Sequence, residues 1–455
     1  MKKKINGNVL VYTRPRLNIF LKKVANHLFD REIIAFSDFP GLEKINLMNT
    51  FYKYYKLNTT EQHITTHDMC QIITRCRVLR LLPTQQAERM VHAMYQVITE
   101  LIEKYNPSYF MSQSVDNYIL DIFYRVCERH GVFTIMLCGG SIPNTIIVTR
   151  YGEKNKVRTP TEAEIDSALK ILLDDNHRIT YSQKFYGYSF FDHFRNFVQW
   201  WLKYLVFKIL SWVKADPLNY RYLAAFFHTL DQGQTDLSNY QGIDLFESDW
   251  EYRLGKASPK PSLFIPLAYV PEMTVDYWLK DLTFLRYEEF IINLCKKLSC
   301  QYLLVIKEHW AMLGIRRTEF YQKLKSIPNL ILVPADVNSR TVMKHLDIVL
   351  VGAGTAGIEA AIRGKRVITM CTPYYYLNGY YLCLNKAEQI EELPKYLESF
   401  IPPPITKNSQ QNLVHSLLES TISGSILLNS QLNTEENIQT TSESLKEYLL
   451  TLGKN

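Results

Sequence analysis

The feature that most constrains the fold of this chain is a regular alternation of short apolar runs and helical segments between residues 263 and 370. YLLVI at 302–306 and IVLV at 348–351 are uninterrupted apolar runs, and the segments between such runs have the spacing of amphipathic helices. Runs of this length are typical of parallel strands buried on both faces, which need helical crossovers to connect them. The alternation therefore predicts a parallel, doubly wound α/β sheet.

The amino-terminal part of the chain shows the same pattern. Strands are predicted for NVLVYT at 8–13, SYFMS at 108–112 and VFTIMLC at 132–138, with helical segments between them. Because 455 residues exceed the usual size of one hydrophobic core, a second doubly wound domain is expected here. The predicted fold class is α/β, with two Rossmann-like doubly wound domains.

The expected domain boundaries follow from composition. KASPKPS at 256–262 is the predicted linker, since its two prolines can continue neither a helix nor a central strand. The first domain then covers 1–255 with a helical insertion at about 155–250, the second covers 262–405, and 406–455 forms a polar segment with a terminal helix.

The insertion is rich in aromatic and basic residues, and residues 194–212 place apolar side chains at three- and four-residue steps. Lys203 and Lys208 interrupt this stretch, which argues against a membrane-spanning helix. Two interpretations remain open. One is an interfacial helix with Trp at headgroup depth and Lys towards anionic lipid, and the other is a core helix docked between the domains.

Charge and cysteine content limit the function classes. The 52 basic and 45 acidic residues give a formal net charge of +7 without a long Lys/Arg block, which argues against nucleic acid as a partner. The eight cysteines form no C-x-x-C pair, and the first residues lack a small-residue cleavage site, so a reducing, cytoplasmic location is expected. No ligand-type spacing of His, Cys or carboxylates occurs, so no metal and no cofactor are expected.

Ligands of doubly wound sheets bind beyond the carboxyl ends of the strands, so the residues after each apolar run are the candidates for a binding site. After IVLV, Gly354 and Gly357 let backbone N–H groups approach a phosphate, and Thr355 offers a hydroxyl. Glu359 follows one turn later, where its carboxylate could accept both hydroxyls of a ribose. The alternative is that the glycines only permit a tight strand-to-helix turn.

Cationic residues follow the YLLVI run. Lys307 and His309 occupy alternate positions, so both side chains could point the same way and hold a phosphate. Arg316 adds a third cation nearby in sequence. A lone histidine near a strand is more often structural, but the three cations together with the glycine-rich stretch favour a phosphate site.

These residues lie in segments that resemble a known family. VIKEHWAMLGIRRTEFYQKLKSIPNLILVPADVNS at 305–339 and VLVGAGTAGIEAAIRGKRVIT at 349–369 resemble the capsule polysaccharide biosynthesis family. That family includes retaining Kdo transferases, which are GT-B proteins that use CMP-activated acidic sugars. The resemblance implies a GT-B arrangement of the two domains, with the carboxyl-terminal domain binding a nucleotide-sugar.

Two elements of the family pattern can be placed on this sequence. Gly-Thr-x-Gly-x-Glu-Ala is intact at 354–360, whereas Lys-Glu-His-Pro appears as KEHW at 307–310. The resemblance implies that the first two basic residues of KEHW, Lys307 and His309, contact the donor phosphate. It also implies that Thr355 and Glu359 contact the nucleotide end of the donor.

The resemblance further implies that the reacting carboxylate comes from the amino-terminal domain. Asp116 is the first candidate for a nucleophile or base, because a carboxylate at a strand end can face the anomeric carbon of a donor. Its alternative role is to cap the helix from Tyr118 onwards. Glu272 in the sequence Pro-Glu-Met-Thr is the second candidate, and Arg150 is the expected contact for the carboxylate of an acidic sugar.

The sequence therefore predicts a glycosyltransferase of bacterial capsule or lipopolysaccharide biosynthesis that moves a sugar, such as Kdo from a CMP donor, onto a lipid-linked glycan. Its expected location is cytoplasmic and peripheral, at the anionic inner-membrane surface. Two other classes remain open. The altered KEHW element favours a non-catalytic capsule assembly or export factor. A sugar-nucleotide epimerase shares the two-domain architecture but needs no lipid acceptor, so the aromatic and basic insertion argues against it.

Overall fold

The computed structural model describes residues 4–58, 63–176, 189–230, 236–256 and 260–452. The chain divides into two compact units. Unit 1 consists of Met1–Pro160, Leu218–Arg221 and Leu417–Asn455, and unit 2 consists of Thr161–Pro217 and Tyr222–Ser416.

Unit 1 is built on a seven-stranded sheet. Its strands are β1 (Val9–Tyr12), β2 (Ile33–Ser37), β3 (Ile45–Asn46), β4 (Tyr109–Gln113), β5 (Phe133–Gly139), β6 (Thr145–Val148) and β13 (Thr421–Ser423). Their order is β13-β6-β5-β4-β1-β2-β3. The strands β1 to β5 pair in parallel, whereas β6 and β13 are added as antiparallel strands. The direction of winding changes between β1 and β4, as in Rossmann folds.

Six helices belong to unit 1. They are α1 (Asn18–Leu28), α2 (Leu47–Leu57), α3 (Thr66–Arg75), α4 (Thr84–Tyr105), α5 (Tyr118–Arg129) and α17 (Glu435–Leu452). The start of α5 is fixed by Asn117, whose side chain accepts hydrogen bonds from the backbone N–H groups of Ile119 and Leu120. The loop before α5 therefore has a defined position at the end of β4.

Unit 2 is built on a six-stranded sheet. Its strands are β7 (Ser262–Pro266), β8 (Leu303–Lys307), β9 (Leu330–Val333), β10 (Ile348–Val351), β11 (Arg366–Thr369) and β12 (Tyr381–Cys383). The order is β12-β11-β10-β7-β8-β9, and every pair is parallel. The direction of winding changes between β7 and β10. The prediction of two Rossmann-like doubly wound domains is confirmed by the two sheets.

The helices of unit 2 include the crossovers of this sheet and the inserted segment. They are α6 (Glu162–Leu173), α7 (Phe190–Val213), α8 (Tyr220–Leu230), α9 (Trp250–Lys256), α10 (Met273–Asp276), α11 (Tyr287–Leu298), α12 (Thr318–Lys325), α13 (Ser339–Lys344), α14 (Ala356–Ala361), α15 (Leu393–Ser399) and α16 (Lys407–Leu418). The first two residues of α8 belong to unit 1, and the helix joins unit 2 at Tyr222. The core between helices and sheet is formed by side chains such as Leu304, Ile306 and Leu350, all at most 1% exposed.

The unit boundaries differ from the expected domain boundaries. Residues 161–217 and 222–255 group with the second sheet, while 417–455 return to the first. The return has a physical cause, because Ile422 of β13 pairs with Ile146 of β6 and the side chains of α17 complete the core of unit 1. Residues 257–259 of the predicted linker lie outside the described part of the chain.

Helix α7 contains the aromatic and basic stretch for which two interpretations were open. Only His193 and Ser211 of this helix are buried, and most of its large apolar side chains are exposed. The interpretation as a core helix is therefore wrong. None of the helices in the described ranges has the length and apolar character needed to cross a membrane.

Candidate functional site

The glycine-rich stretch lies at the carboxyl end of β10, next to the point where the sheet of unit 2 changes its direction of winding. Gly354 is exposed, and a Cβ atom built onto it meets no other heavy atom within 4 Å. The backbone at this position is therefore open to a ligand. The structure brings this stretch together with the end of β7, where ligands of doubly wound sheets bind.

Gly357 is required for a different reason. A Cβ at this position would collide with the hydroxyl of Tyr375. That hydroxyl donates a hydrogen bond of 2.7 Å to the carbonyl of Gly354, so Tyr375 fixes the shape of the loop. Of the two sequence interpretations, the tight turn accounts for Gly357, while Gly354 remains available for a ligand.

His309 lies after β8 and is partly buried between aromatic rings. Its ring centroid is 5.6 Å from that of Tyr269 and 5.7 Å from that of Trp310. Burial, together with the charges of Lys307 and Arg316, lowers the pKa of His309 to about 4. Because Nδ1 accepts a 3.3 Å hydrogen bond from the backbone N–H of Ala311, the neutral ring carries its proton on Nε2. His309 can thus donate one hydrogen bond to a phosphate oxygen at neutral pH.

Lys307 is buried, and its ammonium group contacts backbone carbonyls. Its Nζ donates to the carbonyl of Ala335 at 2.9 Å and to that of Glu308 at 3.4 Å. The ammonium therefore ties the end of β8 to the segment after β9. Its charge adds to the positive potential around the imidazole of His309, as the lowered pKa of that residue indicates.

Glu359 lies on α14 and forms a buried ion pair. Its Oε1 is 2.7 Å from Nη2 of Arg340, and both side chains are less than 10% exposed. Arg340 also donates to the backbone carbonyl of Asp174. Arg340 thus occupies one of the acceptor sites of Oε1, and no hydrogen bond to the second carboxylate oxygen of Glu359 is seen among the described residues. Thr355 lies half-buried just before α14.

Arg316 does not occupy the role that the sequence predicted. Its side chain is fully buried and donates to Glu308 at 2.7 Å, to Glu288 at 3.2 Å and to the carbonyl of Ala268 at 2.8 Å. The guanidinium is thus committed to groups of the protein and is not available to a donor phosphate. The sequence did not predict this structural role of Arg316, because it does not show which carboxylates a buried arginine pairs with.

Glu272 follows β7 in unit 2 and precedes the short helix α10. It accepts a 2.6 Å hydrogen bond from the hydroxyl of Thr274 and is half-buried. Its side chain does not cap α10. The residue therefore lies in the loop that follows β7, the other strand that borders the change in winding.

In unit 1, Asp116 lies at the carboxyl end of β4, where that sheet also changes its direction of winding. Its carboxylate accepts hydrogen bonds from Arg14 and Gln113 at 2.7 Å each and from Asn117 at 2.8 Å. Asn117, and not Asp116, caps α5. The alternative role of Asp116 as a helix cap is therefore wrong, and the carboxylate is held in one position by three donors.

Sequence reasoning missed the partners of Asp116 on the neighbouring strand. Arg14 follows β1 and also contacts the hydroxyl of Tyr12, which donates a 2.6 Å hydrogen bond to buried Asp38. Burial and the charge of Asp38 raise the pKa of Tyr12, so its hydroxyl remains protonated. The signal was present, since Arg14 stands directly after an apolar run, as Lys307 does after YLLVI.

Arg150 is already paired within its own loop. It forms an ion pair with Glu153 at 2.9 Å and donates to the hydroxyl of Tyr124 at 3.0 Å. These residues lie beside a cavity of about 290 Å³, which Arg150 and Tyr124 line together with residues of β5 such as Phe133. The cavity lies beside the amino-terminal end of β5.

Glu153 should make unit 1 sensitive to acid. Burial alone would raise the pKa of Glu153, but hydrogen bonds from Arg150 and Tyr151 outweigh burial and lower it to about 2. The ionised carboxylate of Glu153 therefore stabilises the folded state fully at pH values above 4.5, the ordinary pKa of a glutamate. This stabilisation is lost as the pH falls towards 2. We expect Glu153→Gln to cost roughly 2 kcal/mol at pH 7 and much less at pH 3. Urea unfolding at both pH values measures the difference, with exposed Glu128→Gln as the control. An equal cost at both pH values would contradict the role of the charge.

No group of three or more His, Cys, Asp or Glu side chains suited to a metal ion occurs in the part of the chain that the structure describes. The side chains described at these sites are hydrogen-bond donors, cations and carboxylates. In unit 2 these groups suit a phosphate, and in unit 1 they hold a single carboxylate in place.

Comparison with known proteins gives one family and several distant structures. Residues 291–391 match the family model described as capsule polysaccharide biosynthesis protein. Comparison with curated proteins gives no match. Among solved structures, the β-Kdo 2,7-transferase KpsC of Thermosulfurimonas dismutans aligns over 98% of this chain and 99% of its own, with 12% identity and a TM-score of 0.37. The UDP-GlcNAc 2-epimerase of Neisseria meningitidis aligns over 99% and 100%, with 11% identity and a TM-score of 0.24.

The family match covers the part of unit 2 that contains the candidate binding site. Lys307, His309, Gly354, Thr355 and Glu359 all lie inside it. The family resemblance predicted from the sequence is thus confirmed for residues 291–391, which match the model of the capsule polysaccharide biosynthesis family.

Proposed function

We propose that this protein is a glycosyltransferase of bacterial surface polysaccharide biosynthesis. The donor would be a nucleotide-activated sugar, Kdo or a related acidic sugar linked to CMP, and the acceptor a lipid-linked glycan. The observation that carries the proposal is the open backbone at Gly354, inside the segment that matches the capsule polysaccharide biosynthesis family. The φ angle of Gly354 lies outside the left-handed region, so neither the backbone conformation nor a neighbouring atom requires glycine at this position.

Each residue of the unit 2 site has a proposed role in donor binding. Backbone N–H groups around Gly354 and the hydroxyl of Thr355 would bind phosphate oxygens. The Nε2–H of His309 would donate to the same phosphate, and the charge of Lys307 would help to neutralise it. The carboxylate oxygen of Glu359 that Arg340 does not use would accept a ribose hydroxyl.

The proposed reaction exchanges one bond at the anomeric carbon for another. The bond to the phosphate oxygen breaks, and its electron pair leaves with CMP, where the hydrogen-bond donors of unit 2 stabilise the charge. A bond to the acceptor oxygen forms, and the proton of the acceptor hydroxyl passes to a base. We assign Asp116 as the reacting carboxylate, either as this base or as a nucleophile that forms a glycosyl-enzyme intermediate first.

Calorimetric titration with CMP, CDP and UDP tests the proposed donor site. We expect CMP to bind the wild type, and Gly354→Val to weaken this binding at least about 10-fold, because the added side chain occupies ligand space without touching the protein. His309→Ala should weaken it by a similar factor through the lost phosphate contact. Gly354→Val should keep the thermal stability of the wild type, whereas His309→Ala removes a ring that packs against Tyr269 and Trp310, so its CMP binding is measured at a temperature where the variant is folded.

The matched control is His27→Ala, which removes an exposed imidazole of unit 1 and should leave CMP binding unchanged. The outcomes separate the function classes. Binding of UDP alone would replace the CMP proposal with an epimerase or a transferase for another donor. Binding of no nucleotide would contradict a donor site and favour the capsule assembly or export factor.

A further inference from the structure

Helix α7 presents a continuous apolar face that nothing in the described part of the chain covers. Trp212 is 82% exposed, Phe191 71% and Ile209 60%, values that are unusual for side chains of this size. The exposed apolar side chains form what we call the outer face of α7: Phe191, Phe194, Val198, Trp201, Leu202, Leu205, Val206, Ile209, Trp212 and Val213.

The opposite face of α7 is anchored within unit 2. The ring of Tyr204 lies 5.4 Å from that of Phe226, and the ring of Phe207 lies 5.7 Å from that of Tyr222, both on α8. His193 packs against Tyr240 at 5.8 Å. Because these contacts hold the helix from one side, the outer face is presented outward along the full length of the helix, about 36 Å.

Basic residues border the outer face. With 100° between successive residues, its side chains cover roughly 140° of the helix circumference. Lys208 then lies about 20° beyond one border and Lys203 about 60° beyond the other, both of them exposed, while Arg195 lies just inside the second border. Asp192 is the one acidic residue of the helix, and it pairs with Arg195 at 2.9 Å. The outer face is thus apolar in the middle and positive at its edges.

The lysines are held beyond these borders by aromatic rings of the anchored face. Nζ of Lys203 lies 4.1 Å from the centroid of Trp200, and Nζ of Lys208 lies 5.8 Å from that of Tyr204. These contacts turn both ammonium groups towards rings of the anchored face and away from the apolar side chains of the outer face. This is the charge distribution that a helix needs to lie flat at a surface of anionic phosphates over hydrocarbon.

We propose that the outer face of α7 docks onto an anionic lipid bilayer, with its apolar side chains among the acyl chains and its lysines on lipid phosphates. The tryptophans Trp201 and Trp212 take the headgroup level, where indole rings are favoured. A single helix lying in the interface agrees with the absence of a membrane-spanning helix among the described residues. The proposal rests on α7 alone and does not depend on the donor site.

Vesicle flotation of the full-length protein tests this surface. We expect the wild type to float with vesicles of 30% phosphatidylglycerol in phosphatidylcholine and to bind pure phosphatidylcholine at least about 10-fold more weakly. The double variant Leu205→Glu/Ile209→Glu should lose at least about 100-fold in partitioning to the anionic vesicles, because two charges would enter the hydrocarbon. A blue shift of tryptophan fluorescence should accompany binding of the wild type.

The matched control is Leu57→Glu/Ile401→Glu, which adds the same charges at apolar positions that are 63% and 84% exposed outside α7. It should float as the wild type does. The proposal is overturned if the wild type does not bind anionic vesicles, or if both double variants bind equally. A second copy of the chain is the alternative partner for the outer face of α7. Light scattering without lipid measures the molar mass, and a wild-type dimer that the Leu205→Glu/Ile209→Glu variant abolishes would assign the outer face to this second copy. CMP titration of the Leu205→Glu/Ile209→Glu variant separates the two proposals, because loss of vesicle binding with unchanged CMP binding concerns α7 alone.

Discussion

Replacing Asp116 with Asn is expected to lower the rate of sugar transfer by at least about 1,000-fold, the effect of losing a catalytic base or nucleophile. The fold should survive, because Asn117 caps α5 and an asparagine can still accept hydrogen bonds from Arg14 and Gln113. The assay follows release of CMP from CMP-Kdo, with extracted membrane glycolipid as the acceptor. CMP binding should remain within about 2-fold of the wild type, since the proposed donor contacts lie in unit 2.

A matched control removes the charge of another carboxylate that pairs with an arginine in unit 1. Asp68 pairs with Arg125, so Asp68→Asn breaks a comparable ion pair away from the carboxyl end of β4. We expect this variant to keep transfer within a few-fold of the wild type. If Asp116→Asn retains more than a tenth of the activity, Asp116 is not the reacting carboxylate, and Glu272 becomes the residue to test.

The sequence was sufficient to predict the two sheets, because buried parallel strands leave a direct signature. YLLVI at 302–306 overlaps β8, and IVLV at 348–351 coincides with β10. The same signature located the sheet edges, so Asp116 and Gly354 were correctly placed after strand ends. Apolar runs are therefore a sound basis for predicting where the strands of a doubly wound domain end.

The sequence was insufficient where a residue's role depends on a distant partner. Arg340 and Glu359 lie on α13 and α14, with β10 and the glycine-rich loop between them, yet their ion pair decides how much of the carboxylate a ribose could reach. The carboxyl-terminal segment was described as polar because of its Ser and Thr content. In the structure, Thr421 and Ser442 are buried, since their hydroxyls bond to backbone carbonyls of Leu418 and Ile438. Composition cannot distinguish such satisfied hydroxyls from solvated ones.

Arg316 was predicted as part of a phosphate site, but it instead forms a buried ion pair with Glu308. Both side chains have no exposed surface, and Glu308 also accepts a 2.8 Å hydrogen bond from Tyr321. Burial opposes the charge of Arg316, but Glu308 and Tyr321 outweigh it and keep its pKa above the ordinary value. Glu308 lies between Lys307 and His309, so the pair holds the end of β8 in place.

Arg316→Met should therefore lower the stability of unit 2 by about 3–5 kcal/mol, because it leaves the charge of Glu308 buried without its partner. Thermal unfolding should show this as a midpoint lowered by roughly 10 °C. Arg316→Met/Glu308→Gln should recover most of the loss, since it removes both charges. The control is Arg286→Met, whose exposed guanidinium is 3.9 Å from Glu289 and should contribute less than about 1 kcal/mol. A midpoint for Arg316→Met equal to that of the control would show that the pair does not support the site.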